Sequence, residues 1–596
     1  MIIIKKGYNM KKKIFGIFVF TMLIMTVTSA VAMNLTDYNK ISPIVGSNND
    51  VDWWPMFAHD PQHTGFSTSI APNTNKLNWS YGTGSEISTS SSVVFENKLY
   101  IGTGEIGSKG ALNFEFIKNN PIINIINFNE EMLQTETGGV FCIDTITGKK
   151  IWDFTTQGAV SSTPIVYNGC VYIFSSDSDT YSGELYCLDA DTGVKHWNFT
   201  YTHFITTPLI EDDNLFILIV DSDTNYGRLL CLNPINGVEK WNHSIGFNNF
   251  AMYSAPAVYN GKVYFTSLNS SDVELHSVDV ATGQEVWTIF LTKMELGLAP
   301  STPVINEGKV FVISLEAYIT NQTLWSVLFC IDAENGDEIW KYVMQELELS
   351  LSTPAVHNDM VYFSYAENYF EYGGIACFNA LNGEVIWNQK LYYDFFAFSS
   401  PAIADGKLYI GSMNIDKYAS VLNCYNLFSG DLIWSYSLGE FNMVGSSPAI
   451  ADGKVYIADI EGTIYTFKDN TPPDAPTIDG PLSGNPETLY EYSFTSIDTD
   501  GDDIAEFIID WGDSTEQDTI IGPFASGEEA FANHTWDEKG TYTIKAKAKD
   551  TFGNESNWSE FEVLIPRNKV SNYNLIKWLF ERFPNLFLIL RQLLGL

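Results

Sequence analysis

The residues best suited to chemistry form a short acidic loop in the C-terminal part of the chain. The run Asp498-Thr499-Asp500-Gly501-Asp502-Asp503 places four carboxylates close together, and three of them alternate along the chain. Carboxylate oxygens in this pattern are ligands that Ca²⁺ prefers. The sequence therefore predicts a calcium site at Asp498, Asp500 and Asp502, although a solvated acidic turn would read the same way. Ile509 stands where an EF-hand has its last glutamate, so the loop is not an EF-hand.

The remaining motifs do not form a catalytic site. The chain contains no HExxH, GxSxG or CxxCH motif. Residues 102–107 match GxGxxG, but a dinucleotide site also needs a helix directly after the strand. His59 and His63 are four residues apart, yet Pro61 between them disfavours a helical pair of metal ligands. We therefore expect a protein that is not an enzyme, with no catalytic and no cofactor-binding residues.

A tryptophan-marked repeat fills the middle of the chain. Four signals recur in fixed order: a small-residue start before Pro, an Asn-Gly or Asp-Gly type turn before an apolar-aromatic pair, an apolar third segment, and a Gly-containing turn before Trp. The mean spacing of about 47 residues is typical of repeat folds. The marker residues are Trp79, Trp152, Trp197, Trp241, Trp287, Trp340, Trp387 and Trp434.

Each unit of the repeat predicts four short antiparallel strands, because apolar residues alternate with small or polar ones. Asn-Gly and Asp-Gly are preferred in two-residue hairpin turns. Such units bury both faces when they stack radially into a β-propeller, with the recurring Trp between neighbouring blades. We count eight units. The strand around Leu77-Asn78-Trp79 is expected to complete the last unit, which stops before a Trp of its own.

The repeat resembles that of the pyrroloquinoline-quinone (PQQ)-like propeller superfamily, through the pattern SxP…VY…LYCLDAxTG…W. The leader, Asp52 to Phe57 followed by His59-Asp60 and His63-Thr64-Gly65, is similar to the segment before such propellers. The resemblance covers about residues 51–469. It implies an all-β fold, with a leader over 33–76 that packs on the propeller and an eight-bladed propeller over 77–469. Its members include quinoprotein dehydrogenases and non-catalytic scaffolds of the outer-membrane-assembly lipoprotein type.

The sequence lacks two features associated with the enzymes of that superfamily, adjacent cysteines and a CxxCH haem-attachment motif. The resemblance implies that an enzyme of this superfamily would have two adjacent cysteines over the quinone and Glu, Asn and Asp ligands for Ca²⁺ beneath it. This chain has no adjacent cysteines. We expect neither PQQ nor another firm cofactor, apart from possible Ca²⁺ in the C-terminal module. The expected function is an exported, non-catalytic cell-surface scaffold or binding protein. The alternatives are a quinone- or metal-dependent oxidoreductase and a structural component of a surface layer.

The variable connections between strands predict a binding face. Strands alternate in direction, so the short Gly-containing turns share one face and the variable loops share the other. Function usually lies on such loops. We expect a protein or glycan partner there, although the same aromatic residues could simply cap the blade edges. The candidate partner-binding residues are Tyr369, Phe370, Tyr392 and Phe395.

Six of the seven cysteines occupy one repeated position in the third strand, where the other two units have Ser277 and Thr466. A position that accepts Cys, Ser or Thr is a small buried packing site. Equivalent strands of neighbouring blades are too far apart for the Cα spacing of a disulfide, so we expect free buried thiols. Cys170 has no counterpart in the repeat. The six cysteines are Cys142, Cys187, Cys231, Cys330, Cys377 and Cys424.

A second module follows a proline-rich linker at 470–476. Within residues 477–565, Trp511-Gly512-Asp513 follows an apolar strand, and His534-Thr535-Trp536 and Gly540-Thr541-Tyr542 come later. This order resembles the polycystic-kidney-disease (PKD) domain. The resemblance implies an immunoglobulin-like β-sandwich that acts as a spacer or adhesion unit and is not catalytic.

The two ends of the chain resemble targeting segments. Five lysines, an apolar run and Ala30-Val31-Ala32 predict a secretory signal peptide over 1–32, with a retained anchor as the alternative. At the other end, residues 566–596 form a linker and a tail that Pro584 splits into two helical pieces too short to span a bilayer. The tail is similar to endings of exported archaeal proteins. It predicts contact with a membrane interface or the envelope.

The composition agrees with an exported globular protein. The chain has 596 residues, of which 45% are hydrophobic and 18% charged. Asp and Glu number 72 against 33 Lys and Arg, which gives a net charge of −39. Such a charge repels a phosphate backbone, so we exclude nucleic acid as a partner. The expected location is secreted and cell-surface associated.

Overall fold

The computed structural model describes most of residues 51–566, together with Trp578, Glu581 and Arg582. The gaps in that range are 88–89, 105–137, 161, 178–181, 203–205, 222–225, 248, 251–253, 270, 295–299, 319–322, 346–347, 351, 368–371, 393, 396–398, 415–418 and 441–443. The predicted signal peptide and most of the predicted tail lie outside the described residues. The chain divides into two compact units, Met1–Lys468 and Asp469–Leu596.

Every named element of the described residues is a β-strand, as an all-β protein requires. Within the described part of the chain, no helix combines the length and apolar character needed to cross a membrane.

The first unit consists of eight sheets within its described residues, and we number these blades 1 to 8. Blades 1 to 4, with strands in chain order, are Val93–Phe95, Lys98–Thr103, Gly139–Asp144 and Lys150–Thr155; Ile165–Tyr167, Cys170–Asp177, Ser182–Asp189 and Lys195–Thr202; Leu209–Glu211, Asn214–Asp221, Tyr226–Leu232 and Glu239–Phe247; Ala257–Tyr259, Lys262–Asn269, Asp272–Asp279 and Glu285–Lys293.

Blades 5 to 8 follow the same order, except that blade 8 takes its fourth strand from the start of the unit. Their strands are Val304–Asn306, Lys309–Tyr318, Thr323–Asp332 and Glu338–Val343; Ala355–His357, Met360–Glu367, Tyr372–Asn379 and Val385–Tyr392; Ala402–Ala404, Lys407–Asn414, Ala419–Asn426 and Leu432–Glu440; Ala449–Ala451, Lys454–Ala458, Thr463–Lys468 and Lys76–Gly82. Phe66–Ser67 and Asp394–Phe395 add to blade 7, and Asn249–Phe250 adds to blade 4.

In six of the eight blades, the serine that opens the repeat joins the first strand of its own blade to the second. Ser162 Oγ accepts a hydrogen bond from the Phe174 amide at 2.9 Å and donates one to the Phe174 carbonyl at 3.1 Å. The serine hydroxyl thus binds the backbone of the second strand just before regular strand pairing begins. The Pro that follows in the repeat has no N–H and cannot donate such a bond. The same acceptor bond joins Ser90 to Gly102, Ser301 to Ile313, Ser352 to Ser364, Ser399 to Gly411 and Ser446 to Ala458.

The next residue of the repeat joins neighbouring blades. Ser400 Oγ accepts the Thr353 amide of the preceding blade at 3.0 Å, and Ser447 Oγ accepts the Ser400 amide at 3.0 Å. Ser91 Oγ in turn accepts the Ser447 amide at 2.9 Å, which carries the series from blade 8 to blade 1. First strands of neighbouring blades also contact each other across this junction. The sheets therefore close into a propeller-like ring.

The repeated Trp packs between blades, as predicted. Trp241 Nε1 donates to the Val280 carbonyl of the next blade at 2.9 Å. Gly283, in the same turn as Val280, packs directly against the indole ring. A Cβ built at Gly283 would lie 2.5 Å from the Trp241 ring, so only glycine allows this approach. All eight repeated indoles donate to a backbone carbonyl. The other seven donors are the indoles of Trp79, Trp152, Trp197, Trp287, Trp340, Trp387 and Trp434.

The N-terminal strand completes the last blade, which confirms the sequence prediction. Lys76–Gly82 pairs antiparallel with Thr463–Lys468, and Trp79 lies opposite Thr466. Blade 8 lacks the turn that receives the indole in other blades. Pro72 replaces it, because its carbonyl accepts from both Trp434 Nε1 at 3.3 Å and Tyr409 Oη at 2.7 Å.

The cysteine position is a buried packing site, as predicted. All seven cysteines are free, and the six repeated ones are buried. Ser277 and Thr466, which fill the same position in two blades, are fully buried. Burial raises the pKa of the Cys142 thiol to about 12, so this group stays protonated at neutral pH.

The second unit has two sheets around one core. One sheet contains Thr477–Asp479, Leu489–Thr495 and Glu529–Thr535; the other contains Asp518–Phe524, Ile504–Asp510, Gly540–Asp550 and Ser559–Ile565. The sequence motifs supply the core, since Trp511 and Trp536 are both buried and pack edge to face. The His534 ring stacks on Trp511, and its Nε2 lies 2.8 Å from Asp513 Oδ2.

Candidate metal centre and axial leader

The structure brings the three predicted calcium ligands together. Asp498, Asp500 and Asp502 each offer a carboxylate oxygen, and these oxygens lie within 4.8 Å of one another. The loop that holds them connects the strands Leu489–Thr495 and Ile504–Asp510. Gly501 adopts a φ of +81°, and its amide donates to the Asp498 carbonyl at 3.0 Å. This turn folds the alternating carboxylates towards a common point.

The contacts of the acidic loop fix its carboxylates in place. Asp498 is almost fully buried, and its Oδ1 accepts the Asp500 amide at 2.8 Å. Asp500 Oδ2 accepts both the amide and the hydroxyl of Thr471, at 2.8 and 2.7 Å. Thr471 belongs to the linker that starts this unit, so the loop also holds the linker. Asn470 beside it donates to Asp550 Oδ2 at 2.6 Å.

The donor set fits a calcium ion. Ca²⁺–oxygen distances of about 2.3–2.6 Å allow two ligands of one ion to be roughly 5 Å apart, and the three carboxylates satisfy this limit. All donors are hard oxygen atoms, which Ca²⁺ and Mg²⁺ prefer to softer ligand atoms such as sulfur. Asp498, Asp500 and Asp502 would hold the ion, which would supply charge neutralisation and no redox chemistry.

The structure describes the backbone of only two of the four predicted partner-binding residues. Tyr369 and Phe370 lie outside the described residues. Tyr392 ends the fourth strand of blade 6, and Phe395 lies in the short strand that pairs with Met413 of blade 7, but their side chains lie outside the described part. Their role in binding stays a prediction.

The leader, defined here as the described residues 51–75, lies against the innermost strands. The sequence predicted that it packs on the propeller but did not indicate which strands it contacts. Its backbone carbonyls accept hydrogen bonds from the middle residue of the first strand in six blades, at 2.7–2.9 Å. The pairs are Trp54 with Val94, Pro55 with Val166, Pro61 with Val258, Gln62 with Ile305, Thr64 with Val356, and Gly65 with Ile403. The leader thus follows the inner strands around the axis. Ser69 Oγ also accepts the amide of Gly453, in the short turn after the first strand of blade 8, at 3.1 Å, so the leader contacts the short-turn side.

A partly buried charged cluster holds the leader turn. His59 Nε2 lies 3.0 Å from Asp52 Oδ1, and His59 Nδ1 lies 3.4 Å from Asp60 Oδ2. Burial acts to lower the pKa of His59, but hydrogen bonds and charges from Asp52 and Asp60 outweigh it and raise the pKa to about 9. Burial acts to raise the pKa of Asp52, yet His59 and Thr68 lower it to about 2. The imidazolium is therefore held between two carboxylates at neutral pH.

The two leader histidines bind different partners, as the intervening Pro61 indicated. His63 places Nδ1 2.9 Å from the Phe57 carbonyl and Nε2 2.8 Å from the Pro256 carbonyl. Burial lowers the pKa of His63. The ring nitrogens of the two histidines thus face different protein groups. The sequence signal for this cluster was the run from Asp52 to Gly65, whose contacts could not be read without the fold.

A protein-family comparison identifies the repeat. The family described as outer membrane protein assembly factor BamB, a PQQ-like repeat family, matches residues 129–270, 178–389 and 371–471, which together span more than half of the chain. The chain belongs to this PQQ-like family. The resemblance predicted from the repeat is confirmed at this level, and so is the propeller-like fold.

Solved structures similar to this PQQ-like chain include propellers and a small domain. The chain is 11% identical to the Dos1 propeller, with 67% of this chain and 98% of that chain covered and a TM-score of 0.41. It is 9% identical to the dihydro-heme d1 dehydrogenase NirN in complex with DHE, with 67% and 73% covered and a TM-score of 0.36. The PKD domain of an M14-like peptidase from a Thermoplasmatales archaeon is 48% identical over 16% of this chain and 99% of that domain, with a TM-score of 0.16. No curated protein matches the chain.

Proposed function

We propose that this protein is an exported, non-catalytic scaffold of the cell surface, of archaeal type. An eight-bladed propeller presents its variable loop face to a protein or glycan partner, and a PKD-like, immunoglobulin-like module acts as a spacer. The observation that carries this proposal is the leader, whose carbonyls bind the inner strands of six blades and whose Ser69 hydroxyl binds the amide of Gly453 in a short turn. The opposite, variable side is therefore the face left for a partner.

The cross-links between blades support a scaffold role. Hydroxyl groups such as Ser447 Oγ and indoles such as Trp241 bind backbone groups of neighbouring blades. These bonds fix the relative positions of the strands from which the loops extend. A rigid frame with variable loops is the common arrangement for binding surfaces.

The C-terminal module supports the same function through its candidate Ca²⁺ site. An ion at Asp498, Asp500 and Asp502 would relieve repulsion between three neighbouring carboxylates. Because Asp500 also binds Thr471 at the start of the module, occupancy would stiffen the linker there. The tail from 574 to 596 would then hold the protein near a membrane interface or the envelope.

The binding face is tested by replacing Tyr369, Phe370, Tyr392 and Phe395 with alanine together. We expect the wild-type protein to capture a ligand in a glycan array or a pull-down from envelope extract, and the variant to lose it. Phe428→Ala is the matched control, because Phe428 is an exposed aromatic residue in a short Gly-containing turn of blade 7. Equal capture by the wild type and the fourfold variant would contradict the proposed face.

Two further experiments separate the alternative functions. Dye-linked oxidation after reconstitution with PQQ and Ca²⁺ would support a quinone-dependent oxidoreductase instead. Ordered multimers that form without any ligand would support a structural surface layer. Deletion of residues 574–596 should release the protein from the surface, and unchanged retention would reject anchoring by the tail.

A further inference from the structure

Blade 2 places two thiols side by side. Cys170 begins the second strand and pairs with Asp189, whereas Cys187 lies in the third strand and pairs with Tyr172. Paired residues of an antiparallel ladder point to the same face of the sheet, and so do residues two apart in one strand. Cys170 and Cys187 are therefore diagonal neighbours on one face.

The same two positions touch in blade 3, where the pair is Asn214 and Cys231. Cys231 Sγ lies 3.5 Å from Asn214 Oδ1. In blade 2 the side chains at these two positions are those of Cys170 and Cys187. Cys187 is buried and Cys170 is partly exposed, so a small ion can approach from the Cys170 side.

Only blade 2 has a thiol at this first position among the eight blades of the described chain. The residue that begins the second strand elsewhere is Lys98, Asn214, Lys262, Lys309, Met360, Lys407 or Lys454. Cys170 is therefore not required by the fold, whereas Cys187 occupies the packing position that most blades share. The pair is a local addition to a repeated frame.

The spacing of the pair favours a shared ion over a disulfide. Diagonal neighbours have Cα atoms about 7–8 Å apart, beyond the roughly 4.4–6.8 Å of most disulfides. Two sulfurs each about 2.3 Å from one ion can be up to roughly 4.6 Å apart, which needs no movement of the strands. Soft thiolate ligands select Cu(I) and related ions.

We propose that Cys170 and Cys187 form a two-thiolate site for one soft, thiophilic cation such as Cu(I) or Ag(I). Binding converts two thiols and one cation into a bis-thiolate complex and releases two protons. No electron transfer is involved. The site is distinct from the carboxylate loop, whose oxygen ligands suit hard cations.

Silver(I) is the probe, because it is thiophilic and needs no reductant. The reduced full-length chain receives one equivalent of Ag(I) and then an excess of a simple monothiol, which removes singly coordinated ions. Intact-mass spectrometry counts the silver that remains. The test variant is Cys170→Asn, since blade 3 carries Asn at this position, and the matched control is Cys142→Ser at a repeated position without a thiol neighbour.

We expect the wild type and Cys142→Ser to retain one silver ion each and Cys170→Asn to retain none. Equal retention by Cys170→Asn, or no retention by the wild type, would overturn the proposal. A wild-type chain that loses two hydrogens and holds no silver would assign a disulfide to the pair and would also overturn it.

Discussion

Trp434 Nε1 donates a hydrogen bond to the Pro72 carbonyl at 3.3 Å, although the two residues are 362 positions apart in the sequence. The equivalent indole in other blades binds a turn of the following blade. Pro72 supplies that acceptor for blade 8, whose chain leaves for the second unit before the turn can form. This bond and the strand Lys76–Gly82 join the start of the propeller to its end.

The glycine beside each indole offers a prediction with an internal control. Gly283→Ala would place a Cβ 2.5 Å from the Trp241 ring, at a φ of +70°. Gly261→Ala has a φ of +72° in the same blade but meets nothing within 4 Å. Backbone strain is therefore equal in the two variants. The clash should lower the free energy of unfolding of Gly283→Ala by about a further 1–3 kcal/mol. Equal urea midpoints for the two variants would contradict this packing.

The hydroxyl bonds between blades predict a second loss of stability. Ser400→Ala removes the acceptor of the buried Thr353 amide. An unsatisfied buried amide costs about 1–3 kcal/mol, so the free energy of unfolding should fall by that amount. Ser400→Thr keeps the hydroxyl and should restore most of the stability. A Ser400→Ala chain as stable as the wild type would show that the bond contributes nothing.

The leader cluster predicts a loss of stability at alkaline pH. The folded pKa of His59 is raised to about 9 from an ordinary 6.5, so its contribution is complete below pH 6.5 and is lost as the pH rises through 9. The contribution is on the order of 3 kcal/mol. Asp52, Asp60, His63 and Glu211 also titrate near this turn, and burial raises the pKa of Glu211 to about 7.

The His59→Gln variant isolates the imidazole from those neighbours. Denaturant unfolding between pH 6 and pH 10 should show a steep fall in wild-type stability that is weaker in the variant. The variant should also be less stable at pH 6, because removing the cation leaves the partly buried carboxylates of Asp52 and Asp60 without their counter-charge. Parallel pH profiles for the two proteins would rule out the assigned role of His59.

Several parts of this arrangement could be predicted from the sequence, and others could not. The blades could be predicted because Trp, the serine before Pro and the turn glycine act locally and recur in every unit. The carboxylate loop could be predicted because its ligands are close in the chain. The leader path, the Pro72 acceptor and the diagonal placement of Cys170 and Cys187 depend on strand register and on residues far apart in sequence. No local pattern encodes them.

Calcium should stabilise the second unit of the full-length chain. At a free Ca²⁺ concentration about 100-fold above Kd, binding adds about 2.7 kcal/mol, which raises the Tm of a unit this size by on the order of 10 °C. Calorimetry with Ca²⁺ and with EDTA measures the shift. Asp500→Asn should reduce it, whereas Asp503→Asn lies outside the three-carboxylate cluster and should not. Identical transitions with and without Ca²⁺ would reject the site.

The most direct test of the non-catalytic assignment is reconstitution of the full-length protein with PQQ and Ca²⁺, followed by dialysis and a dye-linked assay over a panel of alcohols and sugars. The absorbance of retained quinone and the rate of dye reduction are measured together. We predict no retained PQQ and no dye reduction above a protein-free control. One PQQ per chain together with substrate-dependent dye reduction would contradict the scaffold function.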